Sequence, residues 1–138
     1  MSIDRIAERH IGTWAGEPET KYATVLFVTA DRDLREVVAR VLDRAGFDIV
    51  TAAHAGHALL AGLTFGRIDV LVTDVKLDDM PGAALADSLR RYHVGMRTVF
   101  MTDVGGQRRA GQMVRPFTRE DLLAELDALT PAATWRVS

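Results

Sequence analysis

The stretch VLVTDVKLDDMPG, residues 70–82, places Asp74 directly after a run of aliphatic side chains. Three other apolar runs also end in groups that can do chemistry, namely residues 29–31, Thr102 and Arg115. A carboxylate acts as a nucleophile or a metal ligand, a hydroxyl donates a hydrogen bond, and a guanidinium neutralises an anion. If the runs are neighbouring parallel strands, their ends bring these groups to one rim of a sheet.

The elements that must position these groups follow from hydrophobic periodicity. Short apolar runs alternate with segments of helical spacing. The pattern predicts strands over residues 22–28, 47–50, 68–73, 97–102 and 112–114. Helices are predicted from Leu34 to Ala45, from about Ala55 to Leu63, after Gly82, and after Thr118 as N-cap. Strands that are apolar on both faces and alternate with helices favour an α/β fold, with a five-stranded parallel sheet covered on both sides.

Composition limits the classes of function. The 138 residues suit one domain, and 48% hydrophobic with 26% charged residues is ordinary for a soluble globular protein. A net charge of −2 gives no basic field for nucleic acid. The absence of cysteine excludes a disulfide scaffold and a thiolate zinc site. With no signal-like N-terminus and no membrane-length apolar run, we expect a cytoplasmic protein that binds neither membrane nor nucleic acid.

Three regions are expected along the chain. Residues 1–21 form an N-terminal extension that ends in the linker-like stretch AGEPET, residues 22–130 form the domain, and residues 131–138 form a C-terminal tail. Large apolar side chains of the extension fall on one face of a short helix: Ile3, Ile6, Ile11 and Trp14. That face either covers the sheet edge or docks a second subunit, so a homodimer through the extension stays an open alternative.

The constellation resembles the receiver domain of bacterial two-component response regulators over residues 23–129. The resemblance is carried by the motifs LVTD, FMT and VRPF and by the glycine that opens the third helix. It implies the flavodoxin-like, doubly wound receiver fold.

The resemblance also implies roles for four residues. Asp74 stands at the phosphoacceptor position, to which a histidine kinase donates a phosphoryl group. Thr102 stands at the position of the switch hydroxyl. Arg115 stands where the family has lysine, and Pro116 is the candidate for a cis peptide bond.

The chain departs from the family at the metal-binding acidic pair. Thr29 and Ala30 occupy those two positions, and neither replaces a carboxylate for magnesium. Asp31 lies one residue late. It is an auxiliary acid if it bends back, but an N-cap of the following helix is the favoured interpretation.

Built-in cations are the second departure. Arg115 keeps the charge of the lysine but has a planar guanidinium, which is able to pair bidentately with Asp74. Lys76 is a further candidate to point into the same pocket. We therefore expect fixed protein cations in place of a recruited ion, no metal site and no cofactor. Magnesium is expected as a cofactor only if the protein is an active receiver.

The third departure lies between Thr102 and Arg115, which are only 13 positions apart. Relatives fit their fourth helix into this interval, whereas here it contains three glycines. We expect that helix to be shortened or missing. Gln112 stands where an aromatic switch residue is usual.

Other polar residues have ordinary interpretations. Asp78 and Asp79 are interpreted as solvated loop residues rather than metal ligands, although a ligand role for Asp79 stays open. His54 and His57 are read as surface histidines in preference to a two-ligand metal site. The two adjacent arginines, Arg108 and Arg109, form too small a basic patch to indicate nucleic-acid binding.

The leading functional hypothesis is a stand-alone, divergent receiver-like module. It acts by protein–protein interaction in a two-component system or phosphorelay, with impaired or no magnesium-dependent phosphorylation, and it is not an enzyme. Its expected partner is a histidine kinase or another two-component protein. The alternative is an active single-domain response regulator phosphorylated on Asp74.

A remote alternative is a small phosphatase of the haloacid dehalogenase type. The sequence DRD, residues 31–33, faintly matches the nucleophile motif of that class, but Arg35 stands where a threonine belongs.

Overall fold

A computed structural model of the chain describes residues 23–103 and 112–129. In chain order the elements are β1 Thr24–Val28, α1 Arg32–Arg44, β2 Asp48–Ala52, α2 Ala55–Thr64, β3 Val70–Asp74, α3 Gly82–Arg90, β4 Arg97–Thr102, β5 Gln112–Val114 and α4 Arg119–Leu129. The strands form one parallel sheet in the order β2-β1-β3-β4-β5. The predicted doubly wound, five-stranded α/β fold is confirmed.

Both faces of the sheet are covered, which explains why its strands lack polar alternation. On β1, Val25 and Phe27 join the core beneath α1 and α4, whereas Leu26 and Val28 join the core beneath α2 and α3. All five residues of β3 are buried. A strand that is buried on both faces belongs in the middle of a sheet covered on both sides, and β3 is the central strand. Its last residue, Asp74, therefore lies at a central position.

Side-chain caps fix where two helices begin. The Asp31 Oδ1 atom accepts a hydrogen bond from Leu34 N at 3.1 Å, so this side chain turns into its own helix. Thr118 Oγ1 accepts from Asp121 N at 3.0 Å, and the Asp121 carboxylate accepts from Thr118 N at 3.1 Å. This reciprocal pair satisfies two backbone donors at the start of α4.

A buried histidine that no sequence pattern indicates links the C-terminal part of α2, the segment after α3 and the segment before β3. His93 Nδ1 accepts from Ile68 N at 3.1 Å, and its Nε2 lies 2.8 Å from Gly62 O. Because an amide only donates and a carbonyl only accepts, the ring carries its proton on Nε2. Removing the ring would leave two buried backbone groups without partners.

Several predictions fall on residues that the structure does not describe. Three of them lie wholly outside the described residues: the extension at residues 1–21, the basic pair at 108–109 and the tail at 131–138. The predicted shortening or loss of the helix between β4 and β5 concerns an interval of which residues 104–111 are not described. Within residues 23–103 and 112–129, no helix is long and apolar enough to cross a membrane.

Candidate functional site

Asp74 is the centre of the site, and both of its carboxylate oxygens are held by protein donors. Its Oδ1 accepts from Arg115 Nη1 at 2.5 Å, and its Oδ2 accepts from Thr29 Oγ1 at 2.8 Å. The residue is only 9% exposed. A buried carboxylate needs such compensation, because burial without partners disfavours the charged form.

Thr29 reaches Asp74 because of strand register. Val28 of β1 lies beside Thr73 of β3, so the next residue on each strand is also adjacent. Thr29 is 1% exposed, and its hydroxyl also accepts from Asp31 N at 3.3 Å. Thr29, at a position where the family resemblance implies an acid, is therefore a hydrogen-bond donor to the Asp74 carboxylate.

Arg115 follows β5 and bridges two carboxylates. Its Nη1 is bound to Asp74, and its Nη2 donates to Asp103 Oδ1 at 2.9 Å. The expectation of a bidentate pair with Asp74 alone is therefore wrong, because each guanidinium nitrogen serves a different acid. The backbone fixes the origin of this side chain: Arg115 N donates to Thr102 O at 2.7 Å, and the Arg115–Pro116 peptide bond is cis.

Thr102 ends β4, next to the strand that carries Asp74. Within the described residues its hydroxyl oxygen is buried and has no hydrogen-bond partner. A buried hydroxyl without a partner carries a desolvation cost, so it marks a place where an acceptor can bind.

The remaining predicted site residues lie outside this cluster. Ala30 is exposed, and the Asp31 carboxylate caps α1. Lys76 is exposed, and its backbone pairs with Pro81 in an isolated bridge. Among the contacts of the described residues it makes none with Asp74, so only Arg115 supplies a cation to that carboxylate.

Magnesium, which the family resemblance implies, does not fit the residues present. Neither acidic-pair position carries a carboxylate, and each oxygen of Asp74 already accepts from a side chain. Two unit charges 4 Å apart near a protein surface repel by about 4 kcal/mol, and a divalent ion beside the Arg115 guanidinium would face about twice that. Among the described side chains there is also no group of three His, Asp or Glu that could hold a metal.

Asp79 lies exposed in the loop after β3, and its carboxylate also anchors that loop. Its Oδ1 accepts from Ala55 N at 3.0 Å and its Oδ2 from Gly56 N at 2.9 Å, at the start of α2. The backbone N–H groups of Gly56 and Ala55 hold the pKa of the Asp79 carboxyl below its ordinary value. The loop that follows Asp74 is thus tied to a helix on its flank.

His54 and His57 have a structural role at the same helix terminus. His54 is the N-cap of α2, and its Nδ1 accepts from His57 N at 3.2 Å. That nitrogen also lies 3.5 Å from Asp79 Oδ2. The ring nitrogen that caps the helix is not free to bind a metal while it accepts from the backbone.

Substituting Asp79→Asn is expected to lower stability at neutral pH, because an amide has one acceptor oxygen for two backbone donors. The folded-state pKa of Asp79 lies below the unfolded one, so its contribution is present above the ordinary carboxyl pKa and is lost as pH falls through the folded value. Urea unfolding across pH should therefore show the difference between wild type and variant shrinking under acid. Asp78→Asn, at the adjacent exposed aspartate, is the matched control; an equal loss there would contradict the capping role.

Similarity to known proteins extends over most of the described chain. The profile of the family described as response regulator receiver domain matches residues 25–125. The probable transcriptional regulatory protein TcrX of Mycobacterium tuberculosis is 33% identical over 115 residues, covering 77% of this chain and 49% of that protein. A response regulator receiver protein of an Anaeromyxobacter species is 36% identical over 101 residues, covering 73% and 40%. The chain spans less than half the length of both curated relatives.

Solved structures show the same architecture. The chemotaxis protein CheY4 of Vibrio cholerae superposes with a TM-score of 0.68 at 25% identity, covering 78% of this chain and 98% of that one. A response regulator receiver domain protein from Clostridium thermocellum gives a TM-score of 0.70 at 18% identity, covering 83% and 98%. The second likeness concerns the fold alone.

Proposed function

Because the chain belongs to the response regulator receiver domain family, which serves two-component signalling, we propose that it is a divergent receiver that works without magnesium-dependent phosphorylation. Its output is contact with a histidine kinase or another two-component protein, in the cytoplasm, and it turns over no substrate. The observation that carries this proposal is the occupation of both Asp74 oxygens by Arg115 and Thr29.

The physical argument concerns the nucleophile. To attack a phosphoryl group, Asp74 must present a free oxygen, and a cation must neutralise the incoming phosphoryl oxygens. Here freeing Oδ1 means breaking a charge-assisted hydrogen bond, which costs about 1.5–3 kcal/mol. The guanidinium that would be released is also bound to Asp103, so it is not a free positive charge.

An active receiver is the second candidate, and one observation favours it. The buried Thr102 hydroxyl has no partner among the described residues, and it lies at the strand end next to Asp74. A phosphoryl oxygen on Asp74 would give it one. In this alternative Arg115 and Thr102 would both bind the acyl phosphate.

The phosphatase alternative has no comparable support. Asp31, the nucleophile that it requires, is occupied as the cap of α1. The matching family is that of receiver domains.

Incubation with acetyl phosphate and magnesium, followed by intact-mass measurement, tests the proposal. We expect no stoichiometric phosphoryl adduct, because the carboxylate is occupied and the metal carboxylates are missing. Asp74→Asn is the control for non-specific labelling. A stoichiometric adduct in the wild type that disappears in Asp74→Asn would replace the divergent receiver by the active one.

A further inference from the structure

Arg35 is connected to the Asp74 site through Thr29. Arg35 lies in the first turn of α1, and its Nη1 atom donates to Thr29 O at 2.7 Å. The hydroxyl of the same threonine donates to Asp74 Oδ2 at 2.8 Å. A single residue therefore separates the Arg35 guanidinium from the carboxylate at the centre of the site.

The Thr29 carbonyl needs a donor because the pairing of β1 with β2 stops at this point. The paired residues end at Val28 and Ala52, and Thr29 N donates to Ala52 O at 3.1 Å. After Ala52 the chain turns into α2, whose N-cap is His54. Thr29 is buried, so solvent does not satisfy its carbonyl, and a buried carbonyl without a partner is costly. Arg35 supplies the donor that a longer β2 would have supplied.

The start of α1 holds Arg35 in position for this contact. Arg35 N donates to Asp31 O at 3.0 Å, and the Asp31 carboxylate accepts from Leu34 N. Asp31 N donates to Thr29 Oγ1 at 3.3 Å. These contacts form a closed ring from Thr29 through Asp31 to Arg35 and back to Thr29. Thr29 is therefore held at its backbone nitrogen, its carbonyl and its hydroxyl.

Fixing the backbone of Thr29 also fixes its hydroxyl. The hydroxyl is separated from the backbone by one rotatable bond, and β-branching restricts that rotation. Because Asp31 N occupies a lone pair of the hydroxyl oxygen, the single hydroxyl proton is directed to Asp74. A backbone displacement of about 0.5 Å away from Asp74 would take the 2.8 Å contact beyond the usual range of a hydroxyl donor. The bond from Arg35 to the carbonyl opposes such a displacement.

We propose that Arg35 is a positioning residue of the Asp74 site. By holding the Thr29 carbonyl, it keeps the Thr29 hydroxyl on Asp74 Oδ2 and so keeps that oxygen occupied. The inference rests on the proposed function, in which the occupied carboxylate is what distinguishes this receiver from an active one.

NMR spectroscopy of the full-length chain, without magnesium and without a phosphoryl donor, tests the proposal. The two observables are the chemical shift of the Asp74 carboxyl carbon and the exchange rate of the Thr29 hydroxyl proton. In Arg35→Gln we expect the Asp74 resonance to move towards its position in Thr29→Val, which lacks the hydroxyl. The Thr29 hydroxyl proton should exchange at least about tenfold faster, as for a lost hydrogen bond to a charged group.

Arg32→Gln is the matched control for the change of charge. Arg32 also lies in the first turn of α1, but its side chain is exposed and pairs with Glu36. This substitution should change neither observable. In the Thr29→Val background, adding Arg35→Gln should not move the Asp74 resonance further. A general loss of stability would not depend on the Thr29 hydroxyl in this way, so the pair of substitutions isolates the positioning role.

The proposal is overturned if the Asp74 resonance stays in place in Arg35→Gln. It is also overturned if that resonance moves equally in Arg32→Gln, or equally in the Thr29→Val background. If Arg35→Gln does not fold, the wild type decides: hindered rotation of the Arg35 guanidinium with a scalar coupling to the Thr29 carbonyl supports the proposal, and free rotation contradicts it. A phosphoryl adduct on Asp74 would overturn the proposed function instead, and it would not alter measurements made without a phosphoryl donor.

Discussion

Restoring the acidic pair and the lysine, as Thr29→Asp, Ala30→Asp and Arg115→Lys, is expected to create magnesium-dependent binding of beryllofluoride at Asp74. The two new carboxylates supply the oxygen ligands that a hard cation requires. Lysine replaces the planar guanidinium by a compact ammonium that no longer bridges Asp74 and Asp103. We expect magnesium affinity to rise at least about tenfold, equivalent to about 1.4 kcal/mol.

Amide chemical shifts around Asp74 during a magnesium titration, with and without beryllofluoride, measure this gain. Adding Asp74→Asn to the restored variant should abolish it. Thr29 is 1% exposed, so an aspartate there is a risk to folding. The double variant Ala30→Asp with Arg115→Lys avoids that position and should show part of the effect. Equal, saturable magnesium binding by the wild type would contradict our account of the site.

Gly82→Ala is expected to destabilise the fold and to displace Asp74. A Cβ atom at residue 82 would lie 2.3 Å from the backbone oxygen of Asp74, and it would also crowd Thr73 Cγ2 at 3.2 Å and Val75 O at 3.3 Å. Main-chain atoms of a central strand cannot move away as a flexible side chain does. Gly82 N also donates to Val75 O at 2.8 Å, which holds the two segments together. Overpacking of this kind costs about 1–3 kcal/mol, occasionally more.

Thermal unfolding measures this loss, with an expected fall in Tm of about 2–8 °C for each kcal/mol. Gly66→Ala is the matched control, because a Cβ there meets no atom within 4 Å. An unchanged Tm for Gly82→Ala would show that the helix moves freely relative to β3.

Local patterns in the sequence were sufficient to predict the helices and strands. Strand apolarity, helical spacing and two capping residues, Asp31 and Thr118, predicted nearly every described helix and strand, because these signals arise between residues close in the chain. The same reasoning did not identify the capping role of Asp79, whose partners Ala55 and Gly56 lie 24 and 23 residues away. No local pattern reports a contact at that separation.

Sequence patterns were enough to predict the receiver fold and the position of Asp74 at the tip of a central strand, and they show that residues 29 and 30 carry no carboxylate. The groups that contact the Asp74 carboxylate became clear only from the packed structure. Thr29 meets one oxygen of Asp74 because of the register of β1 and β3, and Arg115 divides its two nitrogens between Asp74 and Asp103. Hydrophobic periodicity sets where a residue lies along its element. The partner of a charged atom depends on distances and angles between elements, and these exist only once the sheet is packed.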